Sequence, residues 1–181
     1  MSGSPPPGDR RDRERSALAA AIEHSRSALG VSTPNPPVGA VVLDPSGRVV
    51  GRGATEAPGG RHAEVVALDE AGPRARGGTL LVTLEPCAHT GRTGPCTERV
   101  LRDGISRVVY AVGDPNPVAA GGAETLRLAG VDVVRADDDE VTSARSGPLR
   151  AWLHRLEHGR PLVTWKYAAT LDGRVAAADG T

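Results

Sequence analysis

Hydrophobic and polar residues alternate along the chain in short blocks whose spacing switches between helical and strand patterns. Apolar residues recur at helical spacing over 15–29, and Gly30 follows them as a helix stop, which predicts a first helix. The β-rich run 38–43 is followed by a turn pattern at 44–47 and by the start of a second strand at 49–50. These three segments together predict a β-hairpin.

From residue 62 onwards the pattern alternates between helices and strands. The predicted elements are a helix at 62–71, a strand at 79–84, a helix at 95–102, a strand at 107–112, a helix at 123–129 and a strand at 131–134. The acidic run 137–140 is expected to open a last helix, because carboxylates suit the positive end of a helix dipole, although a solvated surface explains it equally well. Crossover helices make neighbouring strands parallel, whereas the hairpin is antiparallel, so we predict an α/β sandwich around a mixed central sheet.

Composition narrows the classes of function that the chain can serve. Its 181 residues suit one domain of ordinary size, with a core large enough to need no disulfide. The 22 basic residues balance 22 acidic ones, which excludes nucleic-acid binding through bulk positive charge. No apolar run approaches the roughly 18 residues of a membrane helix, and the N-terminal residues lack the apolar core of a secretory signal. We therefore predict a cytoplasmic protein with neither a nucleic-acid nor a membrane partner.

Four residues form a pattern that points to metal chemistry. His62 and Glu64 begin a predicted helix, and Cys87 and Cys96, the only two cysteines, flank one loop further along the chain. A His-x-Glu followed by Pro-Cys and a second cysteine is typical of zinc-dependent deaminases. Zinc takes imidazole and thiolate ligands, and a catalytic site leaves a coordination position open for water. Because two thiolates cancel the charge of the ion, a nearby carboxylate is needed to take the proton of that water, and Glu64 is the predicted proton shuttle.

Each of these residues also has a simpler interpretation. His62 alone would be a surface or core histidine, and two cysteines alone would be buried thiols. A disulfide between Cys87 and Cys96 is a further alternative, although a cytoplasmic setting argues against it. A structural zinc site would need a fourth protein ligand, for which His89 is the candidate. The presence of the whole pattern favours a catalytic zinc site.

The sequence resembles the deaminase domain of the bifunctional riboflavin biosynthesis proteins, which join a pyrimidine deaminase to a reductase. The resemblance extends over about 17–134 and is carried by the stretches TPNPPVG at 33–39, HAE at 62–64, VTLEPC at 82–87, HTGRTGPC at 89–96 and DPNP at 114–117. Eight residues separate the two cysteines here, as in that family, whereas cytidine and tRNA-adenosine deaminases have two residues between them. Gly94 stands where the family has proline, a departure that removes no ligand.

The resemblance implies a cytidine-deaminase-like fold, a three-layer α/β/α sandwich. It implies that His62, Cys87 and Cys96 bind Zn²⁺ and that Glu64 donates and accepts the proton. The implied substrate is a phosphorylated pyrimidine, a diaminopyrimidinone that carries a phosphoribosylamino group. In the implied reaction, oxygen replaces the ring amine and ammonia is released.

Five further residues are expected to bind the substrate. His89 and Arg92 lie in the loop between the cysteines, where they offer hydrogen-bonding or positive groups, and an arginine can bind a phosphate with two parallel hydrogen bonds. The resemblance places Asn35, Asp114 and Asn116 around the base and ribose. Turn formation explains these three as well, since Asn-Pro and Asp-Pro sequences favour turns. A solvated surface charge is the less favoured alternative for Arg92.

The segment from Gly159 onwards resembles the first strand and turn of the family's reductase domain, which uses NADP. The resemblance implies that Ala168 lies near that cofactor. The residues after Gly159 are too few for a domain, so neither reductase activity nor NADP binding is expected without a complete reductase domain. The apolar strand expected at 162–165, without its sheet, should pack poorly or pair with another chain. The predicted domain organisation is a disordered tail at 1–14, a deaminase domain at 15–145, a linker or helix at 146–159 and the start of a truncated reductase domain at 160–181.

Two other functions stay open on the sequence alone. Another nucleoside or base deaminase of the same fold is one of them, although the spacing of the cysteines and the reductase-like segment argue against it. A non-catalytic zinc-binding module is the other, and it predicts bound zinc without release of ammonia. A homo-oligomer is compatible with the fold, but no pattern in the sequence indicates a contact surface.

Overall fold

A five-stranded mixed sheet forms the centre of the computed structural model, which describes residues 7–89, 94–170 and 173–175. The strands are β1 (Gly39–Leu43), β2 (Val49–Ala54), β3 (Thr79–Leu84), β4 (Arg107–Val112) and β5 (Asp132–Arg135). Their order in the sheet is β2-β1-β3-β4-β5. β1 runs antiparallel to both β2 and β3, whereas β3–β4 and β4–β5 are parallel pairs. The predicted hairpin and the predicted mixed sheet are both confirmed.

Helices cover both faces of this sheet. They are α1 (Pro7–His24), α2 (Ala63–Ala71), α3 (Cys96–Arg102), α4 (Gly122–Leu128), α5 (Asp138–Ser146) and α6 (Arg150–His158). α1 and α5 pack together and against the sheet on one side, while α2, α3 and α4 follow one another on the other side. The acidic run predicted to open a helix lies in the first turn of α5. The α/β/α sandwich is therefore the observed architecture.

The core between these layers is built from aliphatic side chains, in a chain that contains no phenylalanine. Apart from Thr83, the largest fully buried side chains among the described residues are leucines and valines. They lie on α1, α2, α3, α4, β1, β3 and β4 and at Leu149, directly before α6. Small residues let the layers approach closely. A Cβ atom on Gly53 of β2 would overlap the carbonyl oxygen of Ala63, the first residue of α2. This contact fixes the start of α2 against the sheet.

The prediction of a disordered tail over 1–14 is wrong for residues 7–14, which form the first turns of α1. Long-range charge contacts stabilise this polar stretch. Glu14 is only 7% exposed, and its carboxylate accepts hydrogen bonds from Arg107 on β4 at 2.7 and 3.0 Å. Arg10 lies 3.9 Å from the same carboxylate, one helical turn away. Residues 1–6 lie outside the described residues.

The segment after α6 differs from the sequence expectation. Residues 160–170 have no secondary structure, so the strand expected at 162–165 is not formed. No strand among the described residues pairs with it, and a strand without a neighbour leaves its backbone groups without hydrogen bonds. Val163 and Trp165 are more than 80% exposed, in agreement with the expected poor packing. No helix in the described ranges combines the length and the apolar character needed to cross a membrane.

Candidate metal centre and active-site cavity

Three side chains that can bind a metal converge beyond the carboxyl end of β3, the middle strand of the sheet. His62 directly precedes α2, Cys87 lies in the loop that follows β3, and Cys96 is the first residue of α3. Their potential ligand atoms all lie within 4.8 Å of one another. Nδ1 of His62 is 3.2 Å from Sγ of Cys96 and 3.6 Å from Sγ of Cys87. Residues separated by 34 positions in the chain are thus brought into one cluster.

The backbone around the cysteines holds this arrangement in place. The N–H of Cys96 donates to Sγ of Cys87 at 3.4 Å, and the N–H of Thr97 donates to the carbonyl oxygen of Cys87 at 3.3 Å. These donors belong to the first turn of α3, where the backbone N–H groups have no partners within the helix. Two N–H groups at the start of α3, which lack partners within the helix, are therefore hydrogen-bonded to Cys87.

The charges in the cluster suit a cation. The hydrogen bond from Cys96 lowers the pKa of Cys87, whereas the hydrogen bond to Cys87 raises the pKa of Cys96. The hydrogen bond with Cys87 also raises the pKa of His62. The two thiols hold their last proton tightly because a second negative charge is unfavourable beside the first. A bound metal ion can replace that proton, since metal binding at thiols releases protons.

One imidazole and two thiolates are the ligand types that zinc prefers, and three protein ligands leave a position open, as in catalytic zinc sites. The alternative of a structural site with His89 as fourth ligand lacks support in the described residues. His89 is not part of the cluster of ligand atoms, and its buried Nδ1 has no hydrogen-bond partner among the described residues. The donor set therefore fits a zinc ion with an open position.

Glu64 lies in the first turn of α2, two residues after His62, and is only 4% exposed. Burial raises the pKa of its carboxyl group, and the negative charge of Cys87 adds to the effect. Glu64 borders the same cavity as His62 and Cys87 but is not a member of the ligand cluster. A carboxyl group in this position is suited to carry a proton beside a metal centre rather than to bind the ion.

A cavity of about 470 Å³ opens over the cluster. Its lining includes Asn35, His89, Asp114 and Asn116, so four of the five residues expected to bind substrate lie around one space. The fifth, Arg92, lies outside the described residues. Ala168, the residue implied to lie near NADP, is in the exposed segment after α6 and does not line this cavity.

The polar residues of the cavity wall also shape their own loops. The N–H of Asn116 donates to Oδ1 of Asp114 at 2.9 Å, and the N–H of Val118 donates to Oδ1 of Asn116 at 3.1 Å. Burial raises the pKa of Asp114. On the opposite loop, Oγ of Ser32 donates to the carbonyl oxygen of Asn35 at 3.1 Å. Turn formation and cavity lining, which the sequence presents as alternatives, thus coexist.

Sequence reasoning missed Glu85, which joins two loops of the site. Its carboxylate accepts the N–H of Asp114 at 3.2 Å and the N–H of Ala123 on α4 at 2.9 Å. Glu85 lies two residues before Cys87, within the stretch VTLEPC. Its position near Cys87 was the available signal, but its partners follow β4 and lie 29 and 38 positions away in the chain. Sequence reasoning also missed Trp152, Arg155 and Leu156 of α6, which line the cavity.

Comparison with known proteins agrees with this geometry. The family described as the cytidine and deoxycytidylate deaminase zinc-binding region matches residues 11–112, which include His62, Glu64 and both cysteines. This chain belongs to that family. The cytidine-deaminase-like fold expected from the sequence is therefore confirmed.

Several relatives are similar over nearly the whole chain. The riboflavin biosynthesis protein RibD of Mycobacterium tuberculosis is 53% identical over 165 residues, which cover 91% of this chain and 48% of the relative. The solved structure of the diaminohydroxyphosphoribosylaminopyrimidine deaminase/5-amino-6-(5-phosphoribosylamino)uracil reductase from Thermotoga maritima has a TM-score of 0.84 at 39% identity, covering 94% of this chain and 48% of that one. Acinetobacter baumannii RibD has a TM-score of 0.81 at 38% identity, with the same two coverages. The chain spans about half the length of the curated relatives it matches.

Proposed function

We propose that this chain is a zinc-dependent deaminase of riboflavin biosynthesis. The proposed reaction is the hydrolytic deamination of 2,5-diamino-6-(5-phosphoribosylamino)pyrimidin-4(3H)-one to 5-amino-6-(5-phosphoribosylamino)uracil, with release of ammonia. The observation that carries the proposal is the cluster of His62, Cys87 and Cys96 beside the buried carboxyl group of Glu64 in one cavity. The 53% identity to RibD supports the choice of pathway and substrate.

In this proposal, His62, Cys87 and Cys96 hold the zinc ion. Zinc in such a site acidifies a water molecule and polarises the reacting group. Glu64 would take one proton from the water and pass it to the ring nitrogen, and would then carry the second proton, from the hydroxyl group added to the carbon, to the amine that leaves as ammonia. Its burial keeps bulk water from competing for the proton during these transfers.

The cavity wall offers groups that match the pyrimidine and its ribose. The amides of Asn35 and Asn116 can both donate and accept hydrogen bonds, as the ring edge and the sugar hydroxyl groups require. His89 and Asp114 add further polar groups on the same wall. Arg92 keeps its expected role as a phosphate ligand.

The test combines zinc analysis with an ammonia assay on the phosphoribosylamino pyrimidine and on cytidine. Glu64→Gln should retain zinc and lose turnover by about 10²–10⁴-fold, the usual contribution of general acid–base catalysis. Glu98→Gln is the matched control, because Glu98 lies on the exposed surface of α3. This control variant should change neither the zinc content nor the turnover.

Three results would contradict the proposal in different ways. Loss of zinc from Glu64→Gln would make Glu64 a ligand. Faster turnover of cytidine than of the phosphorylated pyrimidine would favour another deaminase of the same fold. Bound zinc without ammonia release from either compound would favour the non-catalytic zinc-binding module.

Reductase activity and NADP belong to the proposal only where a complete reductase domain is present. The cytoplasmic setting, a homo-oligomeric state and the lack of a nucleic-acid partner stay predictions.

A further inference from the structure

One wall of the cavity comes from α6, outside the region that matches the deaminase family at 11–112. Trp152, Arg155 and Leu156 all line the cavity. Residues three and four positions apart lie on the same face of a helix. Leu153, which is 3% exposed, packs into the hydrophobic core and so anchors the helix through a different face. α6 therefore presents a defined side of itself to the substrate space.

Arg155 is the only arginine or lysine among the described residues that line the cavity. Its guanidinium group makes no hydrogen bond or ion pair with any described residue, although an acidic neighbour, Glu157, lies two positions away. Glu157 is instead paired with Arg145 at 2.7 Å. The positive charge of Arg155 is thus available at the cavity edge.

The acidic groups of the cavity lie elsewhere. Glu64 is buried beside the cysteines, while Glu85 and Asp114 line the wall formed by the loops after β3 and β4. An anionic group on a substrate is repelled by these carboxyl groups and attracted to the exposed cation of α6. The charges therefore favour one orientation for a pyrimidine that carries a phosphate.

We infer that Arg155 is a further ligand of the substrate phosphate, besides the predicted ligand Arg92, and so directs the pyrimidine ring towards Glu64. The inference rests on the proposed function, since it assumes a phosphorylated pyrimidine. A guanidinium group suits this task because it can donate two parallel hydrogen bonds to a phosphate. Trp152 and Leu156 provide an apolar surface on either side of it in the chain, against which the rest of the ligand can pack.

The first experiment measures phosphate binding without catalysis. Ribose 5-phosphate is titrated into the zinc-loaded protein by calorimetry, with ribose as the probe that lacks phosphate. Arg155→Ala should weaken ribose 5-phosphate binding about 10–100-fold, as expected for the loss of charge-assisted hydrogen bonds. Arg155→Lys retains the positive charge, so its affinity for ribose 5-phosphate should lie between the affinities of the wild type and Arg155→Ala. Arg150→Ala is the control, since Arg150 is exposed on the same helix and does not line the cavity.

The second experiment measures turnover of the phosphoribosylamino pyrimidine and of its dephosphorylated form. Arg155→Ala should raise KM for the phosphorylated compound about 10–100-fold, the factor by which it weakens binding of ribose 5-phosphate. It should change kcat by less than about threefold and leave KM for the dephosphorylated form unchanged. Loss of affinity for both compounds would indicate a structural effect and would overturn the inference. Melting temperatures of the variants establish that each is folded.

The two experiments separate the inference from the proposed function. If the wild-type protein releases no ammonia but Arg155→Ala still loses ribose 5-phosphate binding, the phosphate site stands and the proposed reaction falls. If turnover occurs and Arg155→Ala binds ribose 5-phosphate like the wild type, the inference falls alone. Failure of the wild-type protein to bind ribose 5-phosphate would overturn it equally.

Discussion

Replacing Arg99 with methionine is expected to weaken the contact between the two helices that begin at the metal centre. Arg99 lies on α3, which starts with Cys96, and donates to Oδ1 of Asp69 on α2 at 2.7 Å. It also donates to Oδ2 of Asp103 on its own helix at 2.6 Å. Only 18% of its side chain is exposed. Arg99 thus joins α2 to α3 by a partly buried ion-pair network.

The size of the effect follows from these contacts. A hydrogen bond to a charged group contributes about 1.5–3 kcal/mol when protected, but Asp69 is 39% exposed, and exposed pairs contribute only about 0.2–1 kcal/mol. Methionine keeps most of the aliphatic stem, so little packing is lost. We expect a loss of about 2 kcal/mol in the free energy of unfolding. For a chain of this size that lowers the melting temperature by about 4–8 °C.

The effect should depend on pH in a defined direction. The hydrogen bond from Arg99 holds the pKa of Asp69 below its ordinary value of 3.8. A carboxyl group whose pKa is lowered by folding stabilises the protein above its unfolded pKa and loses this contribution as the pH falls through the folded value. The difference between wild type and Arg99→Met should therefore be full near neutral pH and shrink below about pH 4.

The assay is thermal unfolding of the zinc-loaded protein at several pH values. Arg102→Met is the control, because Arg102 is 70% exposed and lies 3.5 Å from the same Asp103. It should cost less than about 0.5 kcal/mol. Equal melting temperatures for the two variants at neutral pH would refute the reasoning, and so would a difference that persists unchanged in acid.

Two further predictions concern the ligand loop and the C-terminal segment. Gly122→Ala should destabilise the protein by about 1–3 kcal/mol and weaken zinc binding, because a Cβ there would overlap the carbonyl oxygen of Pro86, next to Cys87. Gly94→Ala, whose Cβ meets no described atom within 4 Å, should leave zinc retention and the melting temperature unchanged; equal losses in both variants would contradict the argument. Deleting 160–181 should shift the melting temperature by less than about 2 °C, since the described part of this segment is exposed and makes few packing contacts. Loss of cooperative unfolding after the deletion would show that the segment supports the domain.

Local patterns were sufficient to predict the sheet and the metal cluster. β3 and β4 are short apolar runs bounded by turn residues, and His62 with the two cysteines follows the residue preferences of zinc. The helical nature of residues 7–14 was missed because it depends on the contact between Glu14 and Arg107, 93 positions apart. The hydrophobic pattern of residues 7–14 gives no indication of a contact with so distant a residue.

Residues of the cavity wall could not be predicted from the sequence for the same reason. Glu85 gains its partners only when the loop after β4 folds beside the loop after β3. Arg155 lies 59 positions beyond Cys96 and has no spacing relation to the ligands. Side chains that act on a ligand from a distant segment carry no local signature, because their meeting is a property of the packed layers.

The metal-binding cluster and the α6 wall of the cavity come from separate parts of the chain. The three potential metal ligands and Glu64, the predicted proton shuttle, all lie at or before Cys96, whereas the part of the cavity wall formed by α6 lies some fifty residues later in the chain. Under the proposed function, exchanging only the residues of α6 that face the cavity should change which amine is accepted, while the three potential metal ligands and Glu64 stay in place.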